Sequence, residues 1–463
     1  MQPRSYHILT FGCQMNVHDS GWLAAALEAR GFAQAALEDA EVVVINTCSV
    51  REKPEQKVMS ALGRVRQATG GDGRVLVAVA GCVAQQLGAE LFDRSPQVRL
   101  VAGSDGIAQA PEAIQRLLAE PAARLTLCAF TEAFPEKEAA PRHAAGPSAL
   151  VTIMQGCDNF CAYCIVPFTR GRQKSRKAGA ILEECRQRIA EGAVEITLLG
   201  QNVNAYGQDK TGDGTSFPRL LEQVAALPGL ARLRYVTPHP KDMGPEDVAA
   251  FGSLPALCPR LHLPLQAGSD AVLKRMRRRY DSAGFLRLVE GLRSARPDIA
   301  LSTDLIVGFP GETESDFQAT LDMMEACGFM SSFSFCYSDR PGAAAARFPD
   351  KVAPEVQHER LLRLQALQDR LGQRWLHGRV GQATTLLIEG KSPRQEPAPT
   401  TQADAPGTSP AAPLEDWQGR DPYGVPVHVP LPKGIDHTGR LIPVDIVAAK
   451  RHSLVGRLAP SSR

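Results

Sequence analysis

Three closely spaced cysteines are the clearest chemical signal in this sequence. Cys157, Cys161 and Cys164 lie in the segment MQGCDNFCAYCIVPF, directly after an apolar run that predicts a strand. At this CxxxCxxC spacing a tight loop places all three sulfurs on the same side of the chain, where the thiolates can bind three irons of one cubane. Three ligands leave the fourth iron with an open coordination position.

An open iron of this kind can chelate the amino and carboxylate groups of S-adenosylmethionine (SAM). Reductive cleavage of the bound SAM then yields a 5'-deoxyadenosyl radical, which is radical SAM chemistry. The competing interpretation of a CxxC pair is structural zinc. Zinc in structural sites prefers four protein ligands, and no fourth cysteine or histidine completes this loop. The spacing therefore favours a SAM-binding 4Fe-4S cluster.

A second set of three cysteines is dispersed along the N-terminal part of the chain. Cys13 lies in TFGCQMN, Cys48 in INTCSVREK and Cys82 in VAGCVAQQ. Each directly follows a predicted parallel strand, and the carboxyl ends of such strands share the edge of the sheet where ligands bind. A single such cysteine is more often a buried core thiol. Three at equivalent strand ends predict a second 4Fe-4S cluster, also with an open iron.

The other five cysteines occur singly in apolar surroundings and are predicted to be small buried side chains. A cytosolic protein keeps its thiols reduced, so we expect no disulfide framework. These five residues are Cys128, Cys185, Cys258, Cys327 and Cys336.

Glycines and polar residues follow several predicted strands of the central segment, in LLGQNVNAYG, HLPLQAGSD and STDLIVGFPGETESDF. Glycine lets the backbone approach a ligand closely, and amide or carboxylate groups can bind a ribose or an amino acid moiety. Each motif alone is ordinary loop chemistry. Together with the cysteine loop they predict a SAM pocket, whose candidate residues are Gly200, Gln201, Gln266, Asp304 and Gly308.

Two basic runs lie beside these motifs, RGRQKSRK at 170–177 and KRMRRR at 274–279. The whole chain has 52 basic and 50 acidic residues, so any contact with nucleic acid must come from local clusters. A basic run is as readily explained as a solvated helix face. Their place beside the cysteine chemistry favours RNA contacts, for which the candidates are Arg170, Arg172, Arg277 and Arg278.

The elements that position these residues are predicted to form three domains of an α/β protein. Residues 1–140 alternate β-branched runs with helical patterns, which indicates a doubly wound parallel α/β domain. Residues 148–376 repeat strand and helix about six times, which predicts a partial, open (β/α)6 barrel. Residues 377–460 predict a small β-barrel. A Pro-rich insert at about 391–414 interrupts this last domain and is predicted to be disordered.

The sequence contains no apolar run of the roughly 20 residues that a membrane span needs, and its first residues show no signal-peptide pattern. We therefore expect a cytoplasmic protein that does not bind membranes, and we expect it to be a monomer.

Taken together, these motifs resemble the methylthiotransferase family of radical SAM enzymes over nearly the whole chain. Within that family, TFGCQMNVHDS, INTCSVREK and GCDNFCAYCIVPFTRGRQKSR are similar to the adenosine-modifying MiaB type. The resemblance implies an N-terminal methylthiotransferase domain, a radical SAM partial barrel and a C-terminal TRAM domain that contacts RNA. It implies two 4Fe-4S clusters, with Cys157, Cys161 and Cys164 holding the SAM-cleaving one and the dispersed cysteines holding the auxiliary one.

The activity implied by the resemblance is methylthiolation of C2 of N6-isopentenyladenosine at position 37 of the tRNA anticodon loop. One SAM would methylate a sulfur held at the auxiliary cluster, and a second would give the radical that removes hydrogen from C2. An electron donor and a sulfur donor are further partners. The first alternative is a methylthiotransferase acting on threonylcarbamoyl-adenosine in tRNA or on a ribosomal protein aspartate. The second, of another class, is a non-catalytic RNA adaptor that binds zinc.

Overall fold

The computed structural model describes residues 4–49, 54–71, 73–137, 146–393 and 413–459. Most of the Pro-rich insert lies outside the described residues, so the expected disorder there stays a prediction. None of the helices in the described ranges combines the length and the hydrophobicity that a membrane span requires.

The N-terminal part is one parallel sheet with helices on both faces. Its six strands are β1 (Arg4–Thr10), β2 (Phe32–Gln34), β3 (Val42–Thr47), β4 (Leu76–Gly81), β5 (Val98–Ala102) and β6 (Leu125–Leu127). Its helices are α1 (Gln14–Glu28), α2 (Pro54–Ala68), α3 (Cys82–Leu87), α4 (Glu90–Arg94) and α5 (Ala110–Ala119). The strand order is β2-β1-β3-β4-β5-β6. Every residue of β3 and of β4 is buried, as expected of strands covered on both faces.

The central part alternates strands and helices. Its elements begin with β7 (Ser148–Thr152), β8 (Met154–Gln155), α6 (Val166–Thr169), β9 (Lys174–Ser175), α7 (Ala178–Ala190), β10 (Glu195–Leu199), α8 (Phe217–Ala225), β11 (Arg232–Tyr235) and α9 (Pro245–Ser253). They continue with β12 (Arg260–His262), α10 (Asp270–Arg275), α11 (Ser282–Ala295), β13 (Ala300–Val307), α12 (Glu314–Cys327), β14 (Ser331–Cys336) and α13 (Pro354–His377). The parallel strands form two sheets of three, β7-β10-β11 and β12-β13-β14. This arrangement is the predicted six-stranded partial barrel.

The C-terminal part is a closed barrel of five strands in the order β15-β16-β17-β19-β18. The strands are β15 (Ala383–Lys391), β16 (Leu414–Arg420), β17 (Pro426–Pro432), β18 (Leu441–Ala449) and β19 (Leu454–Leu458). Arg232 and Arg234 of β11 donate hydrogen bonds to this barrel, at 2.9 Å to the Arg420 carbonyl and at 2.8 Å to the Pro422 carbonyl. The small barrel therefore packs against one end of the central strands, and the predicted fold class is confirmed.

Candidate functional site: two cysteine triplets

The structure brings the dispersed cysteines to one edge of the N-terminal sheet. Cys13 follows β1 and caps α1, Cys48 follows β3, and Cys82 is the first residue of α3, directly after β4. The strand order reverses between β1 and β3, and the crevice at such a reversal is where doubly wound sheets bind ligands. Cys13 is exposed, whereas Cys48 and Cys82 are buried. The topology thus places the predicted second triplet at a ligand-binding edge.

The loops that carry these cysteines approach each other closely at Gly12. A hydrogen bond between the Cys13 and Cys48 side chains, together with the nearby Arg170 guanidinium, lowers the pKa of Cys13 to about 5. Gly12 has φ +133°, and a Cβ there would lie 2.3 Å from the Cys48 Cβ. The Asn16 side-chain amide stabilises this close approach of the two loops. Its Nδ2 donates hydrogen bonds of 2.9 Å to the Asn46 Oδ1 and to the Thr47 carbonyl.

We predict that Gly12→Ala disrupts the N-terminal triplet. The alanine Cβ would overlap the Cys48 side chain, and the positive φ adds about 1–3 kcal/mol of backbone strain. The matched control is Gly21→Ala, because Gly21 lies within α1 with no atom within 4 Å of an added Cβ. Thermal unfolding and iron content after reconstitution measure the effect. Equal stability and iron content in the two variants would contradict the close approach at Gly12.

The CxxxCxxC loop follows β8 in the central part. Gly156 precedes Cys157 with φ +80°, and its N–H donates to the Gln201 Oε1 at 2.6 Å. Burial raises the pKa of Cys157 to about 11, and burial together with the neighbouring thiols raises that of Cys164 to about 12. These two thiols are therefore protonated near neutral pH, and metal binding to them would release protons.

Two residues that the sequence analysis did not identify as part of this site lie against Cys161. The Arg278 Nη1 donates to the Cys161 Sγ at 3.5 Å, and the His239 Nε2 lies 3.9 Å from the same sulfur. His239 Nδ1 accepts a hydrogen bond from the Lys241 N–H, and burial, aided by Arg278, lowers the pKa of His239 to about 2. The neutral ring then carries its proton on Nε2 and points it at the sulfur, so that nitrogen is a donor and not a metal ligand.

His239 follows β11 in the segment VTPHP, at the same end of the barrel as the cysteine loop. This position after a strand is the signal that could have identified it. Asp242, three residues later, accepts hydrogen bonds from Asn159 in the cysteine loop at 3.2 Å and from Asn202 after β10 at 2.8 Å. The polar residues after β10 and β11 therefore hold the cysteine loop in place.

The predicted SAM-pocket residues all lie at or near the carboxyl ends of barrel strands. Gly200 and Gln201 follow β10, Gln266 follows β12, and Asp304 and Gly308 lie in and after β13. The Asp304 Oδ2 lies 3.2 Å from the His262 Nε2. Gln201 bonds to both Gly156 and the Met15 sulfur of α1. Contacts of these residues with SAM stay a prediction.

The predicted RNA contacts need a correction. Arg172 and Arg277 are exposed, but Arg170 is 3% and Arg278 is 4% exposed. Phosphates of an RNA backbone stay on the protein surface, so these two buried guanidinium groups are not placed to bind them. They lie instead beside cysteine sulfurs, Arg170 at Cys82 and Arg278 at Cys161. Each basic run therefore contributes one buried arginine to a cysteine site.

The donor sets of both sites fit iron-sulfur clusters. Each site offers three thiols and a buried arginine, and an N–H donor suits the sulfur of a thiolate-bound cluster. Among the described residues, no three potential ligands come close enough to share one metal ion. A cubane does not require this, because each thiolate binds a different iron. Of the five other cysteines, Cys185, Cys258 and Cys327 are buried as predicted, whereas Cys128 and Cys336 are only half-buried.

Comparisons with known proteins agree with this geometry. The uncharacterized protein family UPF0004 matches residues 5–103, and the Radical SAM superfamily matches residues 151–324. The chain is 59% identical over 460 residues to the tRNA-2-methylthio-N(6)-dimethylallyladenosine synthase of Nitratidesulfovibrio vulgaris, covering 99% of both chains. It is 54% identical over 463 residues to the synthase of that name from Oleidesulfovibrio alaskensis, covering 100% of both.

A solved structure with a similar fold is that of the radical S-adenosylmethionine methyltransferase TsrM from Kitasatospora setae. The TM-score is 0.55 at 15% identity, with 75% of this chain and 74% of that chain covered. At this identity the likeness shows the fold alone.

Proposed function

The chain belongs to the family of tRNA-2-methylthio-N(6)-dimethylallyladenosine synthases, and we propose that it methylthiolates C2 of N6-isopentenyladenosine at position 37 of tRNA. Its radical SAM domain implies SAM and a 4Fe-4S cluster as cofactors. A second 4Fe-4S cluster, at Cys13, Cys48 and Cys82, is part of the proposal. When bound, the clusters and SAM supply the carbon-centred radical and the sulfur for this chemistry.

The observation that carries the proposal is the direct connection between the two triplets. Gln201 bonds to the backbone beside Cys157 and to Met15, two residues after Cys13. Arg170, six residues after Cys164, donates to the Cys82 sulfur at 3.3 Å. A reaction that forms a radical at one cluster and delivers sulfur from another needs both centres near one substrate. These contacts support a shared active site between the domains.

The chain's own residues then have distinct roles in the proposal. The polar residues after β10 and β11 hold the CxxxCxxC loop, so that the cysteines present one face to SAM. The target adenosine has to leave the anticodon stack to reach the cysteine sites, as in other enzymes that act on a base. Arg172 lies 5.3 Å over the Phe160 ring beside the cysteine loop, so a cation and a half-exposed aromatic ring flank that site.

We expect Arg172→Glu and Arg277→Glu to weaken tRNA binding, because these exposed arginines are proposed to neutralise phosphates. The slope of log affinity against log salt should flatten by roughly one unit for each lost phosphate contact. Arg186→Glu, an exposed arginine on α7 outside both basic runs, is the control. The measurement is tRNA binding across a salt series after iron content is checked. Unchanged affinity and slope in both variants would show that the two arginines are ordinary solvated surface residues.

Metal analysis separates the proposal from a zinc-binding RNA adaptor. Two 4Fe-4S clusters require about eight irons per chain and an equal amount of sulfide in anaerobically purified, reconstituted protein. We expect that composition without zinc. Stoichiometric zinc and no iron would overturn the enzymatic assignment.

Substrate choice separates the proposal from the related methylthiotransferases. The reconstituted protein is to be incubated with SAM and a reductant, together with tRNA carrying either N6-isopentenyladenosine or threonylcarbamoyl-adenosine. We expect a gain of the methylthio mass only on the isopentenylated nucleoside. Modification of threonylcarbamoyl-adenosine, or of a ribosomal protein aspartate alone, would favour those alternatives.

The remaining partners belong to the same proposal. Cluster reduction requires an electron donor, and repeated turnover requires a sulfur donor. We also infer that the protein acts as a monomer in the cytoplasm, where its tRNA substrate is found.

A further inference from the structure

Arg170 reaches from the radical SAM part of the chain into the N-terminal cysteine site. It directly follows α6 (Val166–Thr169), and the Thr169 carbonyl accepts a hydrogen bond from the Ser104 hydroxyl of the N-terminal domain. Its side chain is 4% exposed. The local contacts therefore fix this segment against the N-terminal sheet, with the Arg170 guanidinium inside the domain interface.

The guanidinium lies between a thiol and a carboxylate. Its Nε donates to the Cys82 Sγ at 3.3 Å, and its Nη1 is 3.6 Å from the Asp19 Oδ2. Asp19 also pairs with the Lys137 Nζ at 2.6 Å. An arginine guanidinium stays protonated in proteins, so burial does not remove its charge. Arg170 is therefore a fixed positive charge beside two of the three N-terminal cysteines.

One nitrogen of this guanidinium has no hydrogen-bond partner in the part of the chain that the structure describes. The Arg170 Nη2 is buried and makes no hydrogen bond with any residue that the structure describes. Buried polar groups are nearly always hydrogen-bonded, and an orphaned donor is costly to keep. The three N-terminal thiols lie nearby, and they are the proposed ligands of a cluster. A cluster bound there would bring sulfide and thiolate sulfurs, which accept hydrogen bonds from N–H groups.

We propose that Arg170 donates its free N–H to a sulfur of the cluster bound by Cys13, Cys48 and Cys82, and thereby raises the reduction potential of that cluster. This inference rests on the proposed function, since it requires a cluster at that triplet. Hydrogen bonds to cluster sulfurs and nearby charge are among the factors that set such potentials. The reduced cluster carries one more negative charge than the oxidised one, so a buried cation stabilises the reduced form more.

The proposal also explains why the arginine comes from the other domain. Arg170 lies only six residues after Cys164, so the same short segment carries a ligand of one cluster and the cationic partner of the other. The N-terminal cluster would lie beside this cation only when the two domains are docked. An isolated N-terminal domain would hold its cluster without this cation.

The test measures the midpoint potential of the N-terminal cluster by EPR-monitored redox titration. Replacing Cys157, Cys161 and Cys164 by alanine in the full-length chain leaves one cluster, so the signal has a single source. Arg170→Met removes the charge and the donors, whereas Arg170→Lys keeps the charge. Arg186→Met is the control, because it removes an equal charge from an exposed side chain on α7, outside both basic runs.

We expect the potential to become more negative in Arg170→Met, to shift less in Arg170→Lys, and to stay unchanged in Arg186→Met. Cluster loss in Arg170→Met that lysine rescues would also support the proposal, since it would show that the site needs the charge. An unchanged potential in cluster-loaded Arg170→Met would overturn it. Cluster loss in both Arg170→Met and Arg170→Lys, with circular dichroism showing a folded chain, would also overturn the proposal, because lysine keeps the charge.

A different result would affect the proposed function itself. If the parent protein without the CxxxCxxC cysteines binds no cluster at all, the assignment of the N-terminal triplet fails, and the role of Arg170 fails with it. This outcome is distinguishable from the others, because it is seen in iron and sulfide content before any arginine is changed.

Discussion

Alanine in place of Cys157, Cys161 or Cys164 is expected to reduce 5'-deoxyadenosine formation from SAM to the level of a protein-free control. Each thiol is proposed to bind one iron, and a cubane that lacks a ligand cannot hold its open iron in position for SAM. The Arg278 and His239 contacts to Cys161 cannot replace it, because both groups point N–H donors at the sulfur. The product is measured by liquid chromatography after incubation with SAM and a strong reductant.

The matched control is Cys185→Ala. Cys185 is a fully buried thiol of α7 in the same domain and packs in its core, away from both triplets. We expect this variant to retain SAM cleavage. Undiminished cleavage in any one of the three loop variants would remove that cysteine from the radical site.

Alanine in place of Cys13, Cys48 or Cys82 should have a different effect. These residues come from the N-terminal sheet, and the CxxxCxxC loop is built by other elements, so the SAM-cleaving cluster should form without them. We expect about half of the iron to be lost, some 5'-deoxyadenosine to be formed, and methylthiolation of tRNA to fall to background. Iron content, 5'-deoxyadenosine and modified nucleosides are to be measured on the same preparation.

The control for this set is Cys128→Ala, which removes a half-buried thiol of the N-terminal domain that contacts the Ala84 carbonyl at 3.6 Å. It should keep both activities. Full methylthiolation in any of the three triplet variants would show that the cysteine is a core thiol and not a cluster ligand.

Those features of the site that depend on local pattern could be predicted from the sequence. The CxxxCxxC loop is continuous in the chain, and its geometry needs no distant element. Cys13, Cys48 and Cys82 are far apart, but each follows an apolar, β-branched run, and parallel strands necessarily align their carboxyl ends. Alternation of strands and helices is likewise enough to predict the parallel sheet and the partial barrel.

The roles of individual charged residues could not be predicted in this way. A run such as KRMRRR shows no periodicity that separates a buried arginine from its exposed neighbours. In the structure Arg277 and Arg279 both have a positive φ, of 60° and 59°, and Arg278 between them is buried. Such a backbone is rare for residues other than glycine and is imposed by tertiary packing. Burial of Arg170 likewise depends on how two domains dock.

Contacts of single side chains across the domain interface could not be predicted from the sequence for the same reason. Gln201 was predicted to bind a cofactor because it follows a strand within a glycine turn. Its actual bonds to Gly156 and Met15 join segments that are distant in sequence. The sequence places a polar group at the correct end of the barrel, but only the fold determines which of several partners it meets.

The most direct test of the proposed activity is mass spectrometry of tRNA nucleosides from a strain that lacks this protein. We expect the 2-methylthio derivative of N6-isopentenyladenosine to disappear and the unmodified N6-isopentenyladenosine to accumulate. The wild-type protein should restore the modification, and Cys157→Ala and Cys48→Ala variants should not. An unchanged level of the methylthio nucleoside in the deletion strain would contradict the assignment of this protein as the enzyme that forms it.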